Sequence, residues 1–213
     1  MNTQKKIFED YLHSRGYPNV PHLMGVFEHY HQLLLAQNKV VNLVSRKMPA
    51  ENYWLQHFLD SLLAMESLEF AGQSVLDFGT GGGLPGIPIK ILQEDCSLVL
   101  LDSIQKKCRA VQEMVEALAL SDTAVNCARV EDYAFQVRRP SFDIILCRAV
   151  ALEERYLAPL RRLLKPSGRL VMYKSRSLED LDGIKYELLL QREDEHIGFR
   201  RIIAVAQREL MRR

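Results

Sequence analysis

The chain has 213 residues, of which 26% are charged and 47% hydrophobic, and its formal net charge is +1. Such a composition excludes a disordered or fibrous chain, and the length supports a core that needs no disulfide or metal to hold it. A charge so close to neutral does not announce a nucleic-acid binder, so local clusters must carry any such claim. Four cysteines, Cys96, Cys108, Cys127 and Cys147, form no Cys-x-x-Cys pair and show no zinc-ligand spacing. Three lie in or beside apolar strand-like runs, where a cysteine behaves as a small buried hydrophobe, and a reduced intracellular protein is the simplest reading. No apolar segment is long enough to span a bilayer. The start, Met1-Asn2-Thr3-Gln4-Lys5-Lys6, leads into a charged amphipathic stretch unlike a secretory signal, so a cytoplasmic protein is expected.

Residues 3–65 read as helical. Leu23, Phe27, Tyr30 and Leu34 recur at three- and four-residue steps and give one apolar stripe. A second helix is predicted from Pro49, with Trp54, Phe58 and Leu62 on one face. The polar stretch from Asn38 to Arg46 between them reads as a connecting loop. After Gly72 the pattern changes to strand and helix in alternation. Strands are predicted at Ser74–Phe78, Ser97–Leu101, Ala124–Ala128, Phe142–Cys147 and Gly168–Tyr173, and helices at Pro85–Gln93, Gln105–Leu118 and Glu153–Leu164. Tyr186–Gln191 and Arg200–Gln207 are expected to pair as a long-looped antiparallel hairpin at a sheet edge. The expected fold class is α/β: a doubly wound, mostly parallel sheet (residues 66–213) preceded by an N-terminal helical segment (residues 1–65) packed on its core.

The turn Gly79-Thr80-Gly81-Gly82-Gly83-Leu84-Pro85-Gly86 sits between a strand and a helix. Glycines there let the backbone turn sharply and approach a ligand closely. Gly81 to Gly86 also satisfies the dinucleotide fingerprint G-x-G-x-x-G, so the turn by itself does not separate a dinucleotide from S-adenosylmethionine. Asp77, just before the glycines, would attract the cationic end of S-adenosylmethionine and repel a pyrophosphate. Asp102, closing the second strand, would accept hydrogen bonds from ribose hydroxyls in either case. The competing reading keeps the glycines for tight packing alone and uses both aspartates as caps.

Asp77 to Pro88 reads D-F-G-T-G-G-G-L-P-G-I-P, and this string resembles the bacterial small-subunit ribosomal RNA methyltransferase G family, also called glucose-inhibited division protein B. The resemblance continues in Leu101-Asp102-Ser103, in Arg129-Val130-Glu131-Asp132, and from Phe142-Asp143 to Arg148-Ala149. Upstream, Asn38, Asn42-Leu43, Ser45, His57 and Asp60-Ser61 follow the family's order, so it covers most of the chain. It implies a class I methyltransferase that transfers a methyl group from S-adenosylmethionine to the N7 of one guanine in 16S ribosomal RNA. By position it places Gly79, Leu84, Val130, Glu131 and Arg148 around the cofactor, and Lys174 near the transfer site. With the residue reading, the expected cofactor set is Asp77, Gly79, Gly81, Gly83, Leu84, Asp102, Ser103, Val130, Glu131 and Arg148. Arg148 and Lys174 are expected to orient base or phosphate. The chain departs from the family at Gln37, Val44, Gln56 and Ser175, all on the side expected to meet RNA.

Attack by guanine N7 loses no proton and needs no general base, which suits a chain that shows none. Cys147 invites a cytosine-C5 mechanism, which needs a thiolate, but no partner motif accompanies it. Arg148 fits either a base-orienting role or a salt bridge to Glu131 or Glu153. Among the histidines, His13, His22, His29, His31 and His57 show no metal face and read mostly as solvated groups. His57 and Asp60 would alternatively face the cleft as part of a substrate lid. Candidate RNA contacts are Lys39, Arg46, Lys47, Lys106, Lys107, Arg109, Arg200, Arg201, Arg208, Arg212 and Arg213. The expected partner is 16S RNA or the small subunit, met by a monomer without membrane or metal. A small-molecule methyltransferase of the same fold and a non-catalytic cofactor-binding assembly factor are the alternatives.

Overall fold

The computed structural model describes residues 3–211, so the candidate contacts Arg212 and Arg213, and Met1 and Asn2, lie outside the described residues. Two helices, α1 (Thr3–Ser14) and α2 (Val20–Val40), open the chain. A helical run of changing pitch follows. It has a 3₁₀ turn at Ala50–Asn52, a π-helical turn at Trp54–Leu59, the short α3 (Asp60–Leu62) and a second 3₁₀ turn at Leu63–Glu66. The predicted second helix is therefore present but not regular α-helix. Trp54, Phe58 and Leu62 are buried as its apolar face requires.

Then strands and helices alternate: β1 (Ser74–Phe78), α4 (Gly86–Leu92), β2 (Ser97–Asp102), α5 (Gln105–Ala117), β3 (Thr123–Cys127), α6 (Val130–Gln136), β4 (Phe142–Arg148), α7 (Glu154–Leu163) and β5 (Leu164–Lys174). Two antiparallel strands, β6 (Glu187–Asp194) and β7 (Gly198–Ala206), finish the sheet in the order β3-β2-β1-β4-β5-β7-β6. The α/β class, the parallel centre and the antiparallel edge agree with the sequence reading. Helix α6 was not foreseen. It is seven residues long, so its buried Val130, Tyr133 and Ala134 repeat over only one turn, and Glu131 and Asp132 in its first turn suit its N-terminal dipole. The hairpin was expected to have a long loop but closes over residues 195–197. Asp194 Oδ1 accepts the N–H groups of His196 (2.8 Å) and Ile197 (3.2 Å), and Gly198 takes φ 73°, which together reverse the chain at once.

The central strands bury both faces. Val75, Leu98, Leu100, Ile144, Leu146, Val171 and Tyr173 join the apolar cluster that holds α4, α5 and the N-terminal helices. Leu76, Phe78, Leu101, Ile145, Cys147, Leu170 and Met172, one step out of phase, join the cluster of α6 and α7. The two-residue period of a strand thus sorts the same runs onto opposite faces. Cys127, by contrast, is exposed because β3 is an edge strand, which corrects the burial expected for a cysteine in an apolar run.

The first cluster is continuous from Phe8 to Ile202, so the N-terminal helices share a core with the sheet. Phe8 meets Phe27 edge-on at 4.8 Å, and Tyr30 stacks on Phe58 at 5.2 Å. Polar staples accompany the packing. Glu66 receives Arg15 (3.0 Å) and Arg192 (2.8 Å), which links α1 to β6. The Tyr30 hydroxyl, fully buried, donates to the Gly82 carbonyl at 2.8 Å and ties α2 to the glycine turn. Replacing Tyr30 by Phe leaves that carbonyl buried without its donor. A loss of about 1–2 kcal/mol is expected in urea unfolding of Tyr30→Phe, with the m-value unchanged.

Candidate active site

Strands β1, β2 and β4 run parallel and end side by side at Phe78, Asp102 and Arg148. Above these ends lies a cavity of about 620 Å³. Gly79, Gly81 and Gly83 form its floor turn with φ of 74°, 57° and 88°, a region that side chains with a Cβ avoid. The N–H groups of Gly79 and Thr80 both reach the Leu101 carbonyl (2.9 and 3.1 Å), so the turn grows directly out of the β1–β2 ladder. A Cβ on Gly79 would lie 2.6 Å from Val150 Cγ2. Close approach of the segment after β4 therefore makes glycine necessary at 79.

Of the expected cofactor residues, Gly79, Gly81, Leu84, Asp102, Ser103, Val130, Glu131 and Arg148 line the cavity. Asp102 anchors the set. Its Oδ1 accepts the Ile104 N–H (2.9 Å) and its Oδ2 the Gly81 N–H (3.1 Å), which aims the carboxylate across the turn. Gly83 and Asp77 lie behind the lining. Asp77 is fully buried, and its Oδ2 accepts the Thr80 hydroxyl (2.7 Å) and the Gly86 N–H at the start of α4 (2.9 Å). The carboxylate thus occupies the helix start where a dinucleotide pyrophosphate would need to sit. Asp77 Oδ1 is buried without a partner, and burial pushes the carboxyl up to about 6 against the opposing pull of the Thr80 and Gly86 hydrogen bonds.

Arg148 lines the cavity, and its salt bridge runs to neither Glu131 nor Glu153. Nη1 donates to Asp60 Oδ2 at 3.0 Å, and also to the Ser61 hydroxyl and the His57 carbonyl, both at 3.3 Å. Arg200 of β7 takes the other oxygen of Asp60 at 2.6 Å. Lys174 is not among the lining residues; its ammonium pairs with Asp180, which also accepts the Leu152 N–H at 2.8 Å.

The N-terminal segment supplies a wall. Asn38, buried, accepts the N–H groups of Leu43 (2.8 Å) and Val44 (3.1 Å) through Oδ1, and so bends residues 42–45 over the cavity. His57 also lines it. His57 is buried, unlike the exposed His13, His22 and His29, so of its two readings, a solvated group or a residue facing the cleft, the structure favours the second. Burial and the Arg148 charge push it down to about 3, so the ring is neutral. Several lining residues have no role in the sequence reading: Phe78, Arg129 and Ala149, which stand only inside the resembling strings, and Ala128, Val150, Arg155 and Tyr156. Phe78 and Tyr156 meet edge-on at 5.1 Å, and Ala149 holds φ 60°, a strained value of the kind found at ligand sites. Cys147 is buried with its thiol pushed up to about 12, and so supplies no thiolate. Among the described residues no group of three or more His, Cys, Asp or Glu side chains is placed to hold a metal. No helix of the described residues is long and apolar enough to cross a membrane.

The remaining candidates divide by environment. Lys107 lines the cavity, and Lys39, Lys47, Lys106, Arg109 and Arg208 are exposed. Arg46 instead braces the loop, donating to the Asn38 carbonyl at 3.1 Å, and Arg201 bonds Gln191 at 3.1 Å. Of the departing positions, Gln37 bonds Glu113 (2.5 Å), Val44 lines the cavity, Gln56 accepts Arg200 (3.2 Å) and Ser175 is exposed.

Two measurements test this geometry. Gly79→Ala should weaken binding of S-adenosylmethionine at least about tenfold in calorimetry, and Val150→Ala added to it should restore part of the loss; residual strain at the positive φ accounts for the rest. The pH dependence has two opposite signs. Asp77, raised, stabilises fully below its ordinary value of 3.8, and that contribution is lost as pH rises through about 6. His57, depressed, contributes above its ordinary value of 6.5, and that contribution is lost as pH falls towards about 3. Relative to the unaltered protein, Asp77→Asn should therefore gain on the order of 2–3 kcal/mol between about pH 4 and pH 8, read by urea titration.

Residues 24–199 match the family model for rRNA small subunit methyltransferase G, GidB. The ribosomal RNA small subunit methyltransferase G of Chlorobaculum tepidum is 38% identical over 200 residues, spanning 93% of this chain and 88% of that one. The protein of the same name from Chlorobium limicola is 40% identical over 169 residues, covering 78% and 73%. Among solved structures, a SAM-dependent methyltransferase from Aquifex aeolicus superposes with a TM-score of 0.56 at 20% identity, over 72% of this chain and 93% of that one. A mutant of MtNAS in complex with S-adenosylmethionine gives 0.61 at 13% identity, over 93% and 82%. At those identities the two structures speak for the fold alone. The family match and the sequence relatives, spanning most of the chain, show that this chain belongs to the rRNA small subunit methyltransferase G family.

Proposed function

We propose that the chain transfers a methyl group from S-adenosylmethionine to N7 of a guanine in 16S ribosomal RNA, as a monomer in the cytoplasm. The observation that carries this reading is the pairing of two acids around one glycine turn. Asp102 faces the cavity and offers its carboxylate to a ribose, while Asp77 fills the helix start that a pyrophosphate would require. The residues present fit S-adenosylmethionine on that ground, and the unpartnered Asp77 Oδ1 puts a fixed negative charge or dipole behind the turn for its cationic end. When bound, that cofactor supplies a methyl group on a sulfonium, open to in-line attack.

The chain's own residues then have only to align the reacting atoms and exclude water. Gly79, Gly81 and Gly83 cradle the cofactor, with Gly83 shaping the turn from behind, and Ser103 and Leu84 border it. Val130 and Glu131, at the start of α6, hold the adenine beside the apolar Phe78 and Tyr156. Guanine N7 carries an exposed lone pair, so no proton has to move. A neutral His57 and a protonated Cys147 suit that requirement, and a base with a value near 3 would be a poor proton acceptor in any case. Arg148 orients the base. Lys174 orients a phosphate once its ammonium leaves Asp180. Of the described part of the N-terminal segment, Asn42, Leu43, Val44, Ser45 and His57 form the cavity's wall, and the sheet with its helices forms the methyltransferase domain.

Purified protein, labelled S-adenosylmethionine and small subunits lacking the modification test the reading. Label on one guanine, cleavable as N7-methylguanine and absent with fully modified subunits, is expected. Asp102→Ala should cut labelling about tenfold at a cofactor concentration about ten times the Kd of the unaltered enzyme, because a ribose acceptor is lost (roughly 100-fold in affinity). Cofactor binding without label on subunits or free 16S RNA would overturn the ribosomal assignment. Labelling of a small metabolite instead would favour a different methyl acceptor.

A further inference from the structure

His57 lines the cavity and carries one polar atom that the proposed chemistry leaves unused; that atom is closed to solvent, so a base meets it only as the imidazole turns into the cavity. His57 is nine-tenths buried, its Nδ1 lies 3.1 Å from the Gln56 carbonyl, and its Nε2 has no partner. A neutral imidazole whose Nδ1 carries the proton presents Nε2 as an acceptor. Burial disfavours the imidazolium, and the neighbouring Arg148 charge disfavours it further. A buried acceptor without a donor is costly unless a ligand satisfies it. His57 lines the same cavity as Arg148, and Arg148 donates to the His57 carbonyl, so the two side chains are neighbours. Only Nη1 of Arg148 is engaged; its Nη2 and Nε make no hydrogen bond among the described residues.

A donor and an acceptor side by side match one purine edge. In guanine, O6 and N1–H lie adjacent, an acceptor beside a donor, on the edge that continues from N7. Adenine presents the reverse, an amine donor beside a bare N1. We infer that Arg148 and His57 read O6 and N1–H of the target base, which makes His57 a specificity-determining residue for guanine over adenine. Adenine also has a nucleophilic N7, so exclusion at this pair is what confines methylation to guanine. With adenine in place, a guanidinium donor would face an amine and His57 Nε2 would face a bare N1, leaving both pairs unmade. This inference rests on the N7-guanine reading above and extends it to the edge of the base that does not react.

The test uses small subunits reconstituted from 16S RNA carrying guanine, inosine or 2-aminopurine at the methylated position. All three retain N7. Inosine keeps O6 and N1–H, whereas 2-aminopurine keeps neither. With the unaltered enzyme, inosine should react within a few-fold of guanine and 2-aminopurine about 100-fold more slowly in kcat/KM. His57→Leu should lose about 10- to 100-fold with guanine but no more than about twofold with 2-aminopurine, at unchanged affinity for S-adenosylmethionine. His57→Gln, which restores a carbonyl acceptor, should recover most of the guanine rate. Equal losses with guanine and 2-aminopurine would make His57 merely structural and overturn the inference. Weakened cofactor affinity would assign the acceptor to the cofactor's ammonium and also overturn it. The analogue series with the unaltered enzyme decides the matter even if a variant does not fold: equal rates with guanine and 2-aminopurine refute base-edge reading. If the unaltered enzyme labels no subunit, the failure lies with the proposed function itself.

Discussion

A carboxylate buried at the end of a helical turn sets the shape of this protein's cleft. Asp60 is 5% exposed, and a charge that deep is tolerable only when paired. It takes two cations, one from each side: Arg148 at the end of β4 and Arg200 on β7. Those strands are not neighbours in the sheet, since β5 lies between them. The bifurcated clamp therefore spans three strands and pins the helical run across their ends. The π-helical turn just before Asp60 puts His57 on the cavity, and π turns of this kind recur at functional sites. Removing one partner of such a clamp would strand the others, so the cleft's wall and its floor are held as a unit.

The same clamp governs the charge that a substrate meets. Arg148 enters the cavity as one of two cations sharing a single carboxylate, so the Arg148–Asp60–Arg200 group carries one net positive charge instead of two. Methylation at N7 leaves a positively charged purine, and an uncompensated guanidinium beside it would oppose the reaction. Asp60 reduces that repulsion, and it engages only Nη1 of Arg148, leaving Nη2 and Nε without a hydrogen bond among the described residues. Buried acids also act at the glycine turn, where Asp102 faces the cavity and Asp77 braces the turn from behind. One residue type at the ends of two adjacent strands thus does two jobs, divided by which side of the turn it occupies.

The N-terminal helices contribute to the site as well as to the core. Tyr30 holds the Gly82 carbonyl, Asn38 bends residues 42–45 over the cavity, and Glu66 fastens the run to α1 and β6. Each is a short polar bond inside an apolar contact, which fixes direction where apolar packing by itself would allow sliding. The departures at Val44 and Gln56 fall within this wall. Val44 lines the cavity, and Gln56 accepts from Arg200, which also holds Asp60.

Sequence by itself determined the alternation of strand and helix, because short, nearly continuous apolar runs such as Ser74–Phe78 and Phe142–Cys147 have few other ways to bury both faces. It also determined the glycine turn, whose residues are consecutive and whose conformation follows from the absence of Cβ. Asp102 was legible for the same reason, standing at a strand end one unit downstream. What only the tertiary structure decided are contacts between residues far apart in the chain. The partner of Arg148 proved to be Asp60, 88 residues away, and not a nearby glutamate. Asp77 looked like a ligand group from its position, yet the fold turned it to the back of the turn, against Gly86. His57 was marked in the sequence only by its place in the family's order and as a cleft-facing alternative beside Asp60; its burial beside Arg148 is a property of packing. Short elements escaped for a related reason: α6 and the tight 195–197 turn are held by a few local hydrogen bonds and a helix dipole, and periodicity cannot register what lasts for less than two turns.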